Sequence, residues 1–313
     1  MLDFLRWVVL ERITTRRPVQ PPRNIFPVAT PSFINPRAPE EALTVTWVGH
    51  STTLIQIGGR NLLTDPIWSE CASPVPPFGP RRWARAGIAF EQLPSVDAVL
   101  LSHNHYDHCD VPTIRRLVAR RADTIWFVPL GVATLLRKCG AAHVVELDWW
   151  QSAQIGGLEI GCTPAQHFSA RGPLDRDRTL WCSWAVTSPS ARVFFGGDSG
   201  LHTEYEEIAR RHGPFDLVLL PIGAYEPRWF MRPVHMNPED AIQAHREITG
   251  SGTPPIFVPI HWGTFKLTDE AMNEPPVRIR SAWASAGNNP DHLWVLSHGE
   301  TRETRVRGLA PRS

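Results

Sequence analysis

Four side chains that bind divalent metals lie within six positions of one another in the segment 101–110, LSHNHYDHCD. Imidazole nitrogen and carboxylate oxygen are donors that zinc and similar ions prefer. A single histidine is usually structural, and a loop of His, Asn and Asp is often only a polar turn. The pattern H-x-H-x-D-H is more specific. Residues two apart in an extended segment point to the same side, so His103 and His105 converge on one ion. Asp107 and His108 follow where the chain turns, and their displacement suits a second ion.

Three further candidate ligands come after apolar runs that have the composition of strands. His167 follows LEIGCTPAQ, Asp198 follows VFFGG, and His261 follows IFVPI. Functional groups commonly cluster on loops along one edge of a rigid sheet. The shared position after a β-run therefore predicts that these side chains meet the 103–108 motif at one edge.

Seven ligands exceed what one tetrahedral ion binds, so the set predicts a pair of ions. The first ion takes His103, His105 and His167, the second takes Asp107, His108 and His261, and Asp198 bridges the two. Such pairs lie ~3.5–4 Å apart and hold a hydroxide whose pKa is depressed. We expect two zinc ions, with manganese or iron as alternatives.

The composition argues against several other classes of protein. The 313 residues carry a net charge of +1 and form no basic stripe, so we expect no nucleic-acid partner. The five cysteines are scattered and include no C-x-x-C pair. This pattern argues against a disulfide framework or a structural zinc knot and predicts a reducing, cytoplasmic location. Cys109, beside the metal motif, is either a ligand or a buried thiol, and the simpler interpretation is the thiol.

Strand-like and helix-like segments alternate along the chain from Thr44 onward. The pair Gly58-Gly59 predicts a hairpin between TTLIQI and NLLTDP. A helix near 238–248 begins with Asn237 as N-cap and Pro238 at its first position. Further strands are predicted for TVTWVG, DAVLLS, TIWFVP, HVVEL, LEIGCTP, LWCSWAVTS, ARVFFGG, LVLLP and IFVPI, and further helices for 111–121, GVATLLRKCG and 203–212. This alternation is typical of a layered α/β architecture.

The first 40 residues have a different character. Residues 1–17 are apolar but interrupted by charges, with no uncharged run near the ~20 residues of a spanning helix and no signal-cleavage pattern. They form either a helix packed on the domain or an interfacial helix with Arg16 and Arg17 near lipid phosphates. The proline-rich segment 18–39 predicts an extended wrapping arm, because proline removes donors and blocks helix. We therefore expect an N-terminal arm, 1–40, followed by the main domain, 41–313.

The motifs together resemble those of a known family. The segments GHSTTLIQIGGRNLLTDPIWS, PFGPRRW, LSHNHYDHCD, QHFSARGPLDRDRTLWCSWAV, FFGGDSG, IGAYEPRWFMRPVHMNPEDA and IHWGTF are similar to the N-acyl-phosphatidylethanolamine-hydrolysing phospholipase D family of the metallo-β-lactamase fold superfamily. The likeness runs from about residue 44 to 267. It implies a hydrolase domain with an αβ/βα four-layer sandwich, in which two mixed β-sheets are flanked by helices, and a di-zinc site. It also implies one continuous domain, although the length alone allows about two.

Two features set this sequence apart from the family. Cys109 stands where the family usually has leucine, and the N-terminal arm is short. The related ascorbate-phosphate lactonase branch shares the early motifs, so a small phosphorylated or lactone substrate is an alternative. The sequence leaves the oligomeric state open, a homodimer included.

Several other residues receive roles from the resemblance and from their position. We expect Asp107 to serve in catalysis as well as in metal binding, and His235 to be the acid that protonates the leaving alkoxide. Asp65 is expected to orient a ligand histidine, and His50 either does the same or is structural. The run Trp229, Phe230 and Met231 suits an acyl groove or the core, and aromatic runs favour the core.

The predicted function is that of a di-zinc phosphodiesterase of phospholipase D type. A hydroxide held between the metal ions would cleave N-acyl-phosphatidylethanolamine-like phospholipids, with peripheral contact to a membrane. The alternative is a lactonase or β-lactamase-like hydrolase of a small metabolite at the same metal site. A metal-binding protein without catalysis is disfavoured, because no ligand is missing from the set.

Overall fold

The computed structural model describes Asp3, Arg6, Trp7 and residues 14–305. Of residues 1–17, for which either a packed or an interfacial helix is expected, residues 1, 2, 4, 5 and 8–13 lie outside the described residues. Residues 18–39 contain no helix or extended strand, and they run over the first sheet. For example, the backbone of Ile34 exchanges two hydrogen bonds with the Gln56 side chain, at 2.9 and 2.7 Å. The division of the chain at residue 40 stays a prediction.

Thirteen strands and six helices occur in the described part of the chain. The strands are β1 (Ala42–Gly49), β2 (Thr52–Ile57), β3 (Arg60–Thr64), β4 (Ala98–Leu100), β5 (Ile125–Pro129), β6 (His143–Leu147), β7 (Ser152–Ile155), β8 (Leu158–Thr163), β9 (Ser183–Thr187), β10 (Arg192–Phe195), β11 (Leu217–Pro221), β12 (Ile256–Ile260) and β13 (Thr301–Arg305). The helices are α1 (Val111–Arg120), α2 (Ala133–Lys138), α3 (Tyr205–His212), α4 (Arg228–Met231), α5 (Pro238–Thr249) and α6 (Glu274–Ser285).

The strands form two mixed sheets. The first has the order β13-β1-β2-β3-β4-β5-β6, and the second has the order β12-β11-β10-β9-β8-β7. Strands β3 to β6 are parallel, as are β10 to β12, whereas the remaining neighbours are antiparallel. The predicted architecture, two mixed sheets between flanking helices, is confirmed.

The core has two parts. Side chains of both sheets, such as Trp47, Phe127 and Trp184, belong to one fully buried cluster that also includes the inner faces of α3, α5 and α6. A second cluster lies between the first sheet and the helices α1 and α2, where Trp126 and Ile114 are buried. Burial of large apolar side chains from four layers supplies the main stabilising free energy and makes the strand ends rigid.

Local signals explain most of the elements. Residues 58 and 59 both have positive φ, 54° and 69°, as a two-residue hairpin turn between β2 and β3 requires. Helix α5 begins with a capping box, in which Asn237 accepts from the Asp240 amide. Four elements were not predicted: the four-residue helix α4, which is too short to show a period, and β7, β13 and α6. Strands SAQI and TRETR are polar or charged, and α6 has two prolines in its first turn, so none carries a clear apolar period.

Because several strands of each sheet share a direction, the candidate site residues follow the carboxyl ends of strands along one edge of each sheet. In the first sheet β1, β3 and β4 run the same way, and His50, Asp65 and the 103–108 motif follow them. In the second sheet β8, β10 and β12 also share a direction. His167, Asp198 and His261 follow those strands. Among the described residues no helix is long and apolar enough to cross a membrane.

Candidate metal centre

Three imidazole nitrogens converge on one point at the edge of the sandwich. His105 Nδ1 lies 2.8 Å from His103 Nε2 and 3.2 Å from His167 Nε2. All three side chains are buried or nearly so. The structure thus brings together the three residues that the sequence assigns to the first ion.

Hydrogen bonds on the far side of two rings determine which nitrogen carries the proton. Ser102 donates its hydroxyl hydrogen to Asp65, at 2.6 Å, so the same oxygen accepts from His103 Nδ1, at 2.9 Å. The Val234 carbonyl accepts from His167 Nδ1, at 3.0 Å. In neutral imidazoles the Nε2 atoms of His103 and His167 therefore carry lone pairs directed at the convergence point. This is the tautomer that a metal requires, fixed by residues behind the ligands.

A second group surrounds the Asp107 carboxylate. Its Oδ2 lies 3.5 Å from His108 Nε2, 3.6 Å from His261 Nε2 and 2.9 Å from His50 Nε2. On its other side His108 donates from Nδ1 to Asp65 Oδ2, at 2.7 Å, so in the neutral ring its Nε2 also presents a lone pair to the site. The second predicted ligand trio is therefore brought together as well, with His50 beside it.

Asp198 lies between the two groups. Its Oδ2 is 3.1 Å from both His108 Nε2 and His261 Nε2, and 3.9 Å from His167 Nε2. Its Oδ1 is buried and has no hydrogen-bond partner. A carboxylate in this position can present one oxygen to each ion, which is the bridging role predicted from sequence.

The donor set fits divalent cations. Buried polar atoms nearly always have a partner, because an unpaired one costs roughly 1–3 kcal/mol. Here His108 Nε2, His261 Nε2 and Asp198 Oδ1 are buried together without hydrogen bonds. All three atoms are metal donors facing one space, so two ions held by the seven predicted residues would satisfy them. The assignment of each residue to an ion stays a prediction.

The two groups differ in their electrostatics. Burial, together with neighbouring histidines, lowers the pKa of His103 well below its ordinary value. Burial likewise lowers the pKa of His167 far below normal and that of His105 to about 4. At His261 burial also lowers the pKa, but Asp198 and Asp107 outweigh it and raise the pKa to about 9. For His108 three carboxylates have the same effect and raise its pKa well above the ordinary value. Carboxylates that favour a proton there favour a metal cation too.

A strained backbone conformation orients several of these side chains. His50, Asp65 and His261 have positive φ of 56°, 31° and 60°, a conformation that L-residues with bulky side chains rarely adopt. Each directly follows a strand, β1, β3 or β12, and the sharp turn directs the side chain across the sheet edge. Such strain costs of order 1–3 kcal/mol per residue and is typical of functional sites.

The residues that support the ligands have, in part, the roles expected from the sequence. Asp65 orients two ligands, His108 directly and His103 through Ser102. Burial raises the pKa of the Asp65 carboxyl group, whereas the hydrogen bonds that it accepts from His108 and Ser102 favour the carboxylate form. Cys109 is fully buried in the apolar cluster beside α1, and burial raises the pKa of its thiol to about 12. It is a buried thiol, as favoured. Ser102 was not singled out, although its place next to His103 is a usable signal.

A cavity of about 1000 Å³ opens from the metal centre to the surface. His105, Asp107, Asp198 and His235 line its polar end. The expectation that the aromatic run packs in the core is wrong for Trp229 and Phe230, which line this cavity. Trp229 is 41% exposed. Met231 is buried and also borders the cavity, because helix α4 lies along its wall.

The N-terminal segment contributes to the same cavity. The Trp7 indole donates to Asp269, at 2.7 Å, and its ring lies 5.5 Å from that of Phe230. The Arg6 guanidinium stands 4.3 Å from the centre of the Trp229 ring. Two described residues of the segment therefore pack against the aromatic wall.

His235 sits at the polar end of the cavity, next to His167 and Asp198, with which it forms a further group of possible metal ligands. Its Nδ1 is 3.9 Å from Asp198 Oδ2 and has no hydrogen-bond partner, and its side chain is 12% exposed. Burial lowers the pKa of His235 to about 4, even though Asp198 opposes the shift. Its resting form at neutral pH is the neutral imidazole.

Comparison with known proteins identifies the family. Residues 60–262 match the beta-lactamase superfamily domain. An N-acyl-phosphatidylethanolamine-hydrolyzing phospholipase D of Caenorhabditis elegans is 37% identical over 280 residues, which cover 86% of this chain and 78% of the relative. The chain belongs to this phospholipase D family of the metallo-β-lactamase superfamily. It is accordingly a metal-dependent hydrolase.

Other relatives agree with this placement. An uncharacterized protein of Mycobacterium tuberculosis is 43% identical over 296 residues, covering 94% of this chain and 75% of the relative. Among solved structures, an isothiocyanate hydrolase from Delia radicum gut bacteria has a TM-score of 0.65 at 22% identity and covers 83% of this chain and 98% of its own. At that identity the likeness concerns the fold alone.

Proposed function

We propose that this phospholipase D family member is a di-zinc phosphodiesterase that hydrolyses N-acyl-phosphatidylethanolamine-like phospholipids. The observation that carries the proposal is the cavity: its polar end is the two-group metal centre and its wall is apolar. A phosphodiester with attached acyl chains matches both ends. The name of the nematode relative supports the same substrate class.

The metal ions, when bound by the seven residues, supply positive charge for the phosphate oxygens and a hydroxide nucleophile at neutral pH. In the resting protein Asp107 would be ionised. Burial alone would raise the pKa of Asp107, but the charge of His108 and the neighbouring His261 and His50 rings outweigh burial and hold the pKa well below normal. An ionised carboxylate at the cavity end can orient a water and accept its proton, which is the catalytic role proposed for Asp107.

His235 would manage the proton of the leaving group. It faces the cavity beside Asp198, without a partner at Nδ1. Because burial favours its neutral form, the negative charge of an incoming phosphodiester is needed to raise its pKa and load the proton. The loaded imidazolium can then protonate the departing alkoxide.

The surface around the cavity suits peripheral contact with a membrane. Leu174 is 86% exposed and follows Gly172 and Pro173, which line the cavity, and Trp229, which also lines it, is exposed as well. Apolar side chains beside a cavity mouth can dip into the interfacial region of a bilayer. We propose a cytoplasmic enzyme that takes its substrate from a membrane surface, whether as a monomer or as a homodimer.

The alternative function is hydrolysis of a lactone or a β-lactam at the same centre. A screen of purified protein against an N-acyl phospholipid, a lactone and a chromogenic cephalosporin separates the two. The proposal predicts chelator-sensitive cleavage of the phospholipid as the fastest reaction. Rapid lactone or cephalosporin opening without phospholipid cleavage would replace it with the alternative.

A further inference from the structure

The loop between α4 and α5, residues 233–236, is tied to the metal centre through its carbonyl groups. Gln166 donates from Nε2 to the Pro233 carbonyl, at 2.7 Å. His167 donates from Nδ1 to the next carbonyl, that of Val234, at 3.0 Å. The position of this loop therefore determines the direction in which His167 presents its other nitrogen.

The same loop also contacts the segment that carries the bridging carboxylate. The Met236 amide donates to the Ser199 carbonyl, at 3.0 Å, directly after Asp198. His235 itself belongs to the 233–236 loop and faces the cavity. One short segment thus holds His235 and supports the residues that present His167 and Asp198.

Arg228 fastens this loop from the other side. Its Nη1 donates to the third consecutive carbonyl, that of His235, at 2.9 Å. Its Nη2 donates to Asp240 Oδ2, at 2.5 Å, and Asp240 is part of the capping box that starts α5. Arg228 is also the first residue of α4, the helix along the cavity wall.

We infer that Arg228 is a positioning residue, which fixes the 233–236 loop so that the Val234 carbonyl holds His167 in its metal-binding tautomer and His235 stays over the cavity. A guanidinium suits this task because its planar fork reaches two acceptors with fixed geometry, and charge-assisted hydrogen bonds are about twice as strong as neutral ones. The side chains of Arg228 and Asp240 are only 24% and 18% exposed, so solvent screens the pair less than a surface pair.

The inference rests on the proposed metal pair but not on the phospholipid substrate, and its test measures metal binding. The full chain is stripped of metal, reloaded with zinc against a competing chelator, and its binding steps are compared among variants. Loss of a residue behind a ligand typically costs 10–100-fold in metal affinity. Because Arg228 acts through one further residue, Arg228→Ala should weaken at least one zinc-binding step about tenfold, at the low end of that range.

Arg278→Ala is the matched control. Arg278 pairs with Glu239, also in the first turn of α5, at 2.8 Å, and with Glu274, at 3.4 Å, and neither partner belongs to the 233–236 loop. The control removes the same charge and an ion pair from the same helix end, so it should bind zinc like the wild type. Arg228→Lys keeps the charge but lacks the planar fork that reaches both acceptors, so it should recover only part of the lost affinity.

The outcomes separate positioning from ordinary packing. If folded Arg228→Ala binds both zinc ions as tightly as the wild type, or if Arg278→Ala loses as much affinity, the inference is wrong. If Arg228→Ala does not fold, Gln166→Ala replaces it, since it removes the hydrogen bond to the neighbouring carbonyl. That variant should also weaken zinc binding, and unchanged binding in Gln166→Ala would overturn the inference.

Discussion

A single carboxylate, Asp65, orients ligands of both proposed ions, and this shows how few residues organise the centre. It receives His108 directly and reaches His103 through the Ser102 hydroxyl. The ligand nitrogens of His103, His105 and His167 converge on one point, where a bound cation would satisfy their lone pairs. The evidence for metal binding therefore comes from the positions and hydrogen bonds of individual side chains.

Removal of Asp198 tests the bridged pair. Its oxygen lies within 3.9 Å of ligand nitrogens from both groups, so both ions should depend on it. We expect wild-type protein to contain about two zinc equivalents, in line with two-metal sites, and Asp198→Ala to contain one or fewer with little activity. Elemental analysis of the purified proteins measures this. An Asp198→Ala protein with two metals and full rate would eliminate the bridge.

His235→Ala separates substrates by their leaving group. A positioned acid contributes ~10²–10⁴-fold when an alkoxide must leave, whereas nitrophenolate leaves unaided because it is stable as an anion. The variant should therefore lose most hydrolysis of N-acyl-phosphatidylethanolamine and largely keep hydrolysis of bis-nitrophenyl phosphate, with both metals bound.

Two other results for His235→Ala would contradict the role of His235 as the acid. Equal small losses on both substrates would show that His235 is an ordinary loop residue. Equal large losses accompanied by loss of metal would show that it is a ligand or a structural support.

Metal affinity should depend on pH differently at the two groups. His261 has its pKa raised to about 9, so below that pH a proton occupies the nitrogen that the metal needs, and affinity should rise as pH increases toward 9. His105, with its pKa lowered to about 4, is already neutral at pH 6, as are His103 and His167. Zinc titrations between pH 6 and 9 should show one pH-dependent and one nearly flat binding step. Two equally steep steps would contradict these electrostatics.

Among the elements, the loops that follow β11 and β12 approach each other very closely beside the predicted ligand His261. Gly223, two residues after β11, lies against the loop after β12: a β-carbon there would stand 2.0 Å from the His261 carbonyl oxygen. The φ of Gly223 is not positive, so glycine is required there because a β-carbon has no space, and not because of the backbone conformation.

Gly223→Ala should therefore push the His261 loop away from the site. We expect a loss of stability in the range of overpacked cores, roughly 1–3 kcal/mol, together with weaker zinc binding. Gly172→Ala is the control, because its β-carbon would meet only Asp175, at an ordinary 3.8 Å. Chemical denaturation and zinc titration of both variants provide the comparison. A Gly223→Ala protein as stable as the control would show that the loops can separate without cost.

For the whole molecule, the sequence predicts the fold because the strands carry local signals, and it predicts side chains that the structure brings together. The predicted strands HVVEL, LVLLP and IFVPI match β6, β11 and β12 residue for residue. Ligand positions follow from the rule that one His or Asp comes after each apolar run, and strand direction then brings them to one edge.

What the sequence does not predict depends on contacts between distant segments. Whether Trp229 and Phe230 face the core or a cavity is decided by the path of the four-residue helix α4, which no periodicity reveals. Arg228 reaches its partners across a loop, and β13 pairs with β1 from the far end of the chain. Such partners have no local signature, since charged strands and single arginines occur throughout any surface.

Hydrolysis of an N-acyl-phosphatidylethanolamine in ¹⁸O-enriched water tests the proposed function most directly, with mass spectrometry of both products. If the seven residues hold two zinc ions, the ions would activate the water that attacks phosphorus. We then expect one ¹⁸O atom in the phosphatidic acid and none in the N-acylethanolamine, and no reaction after chelation until zinc is restored. Label in the N-acylethanolamine, or an intact phospholipid beside a rapidly opened lactone, would show that the proposed function is wrong.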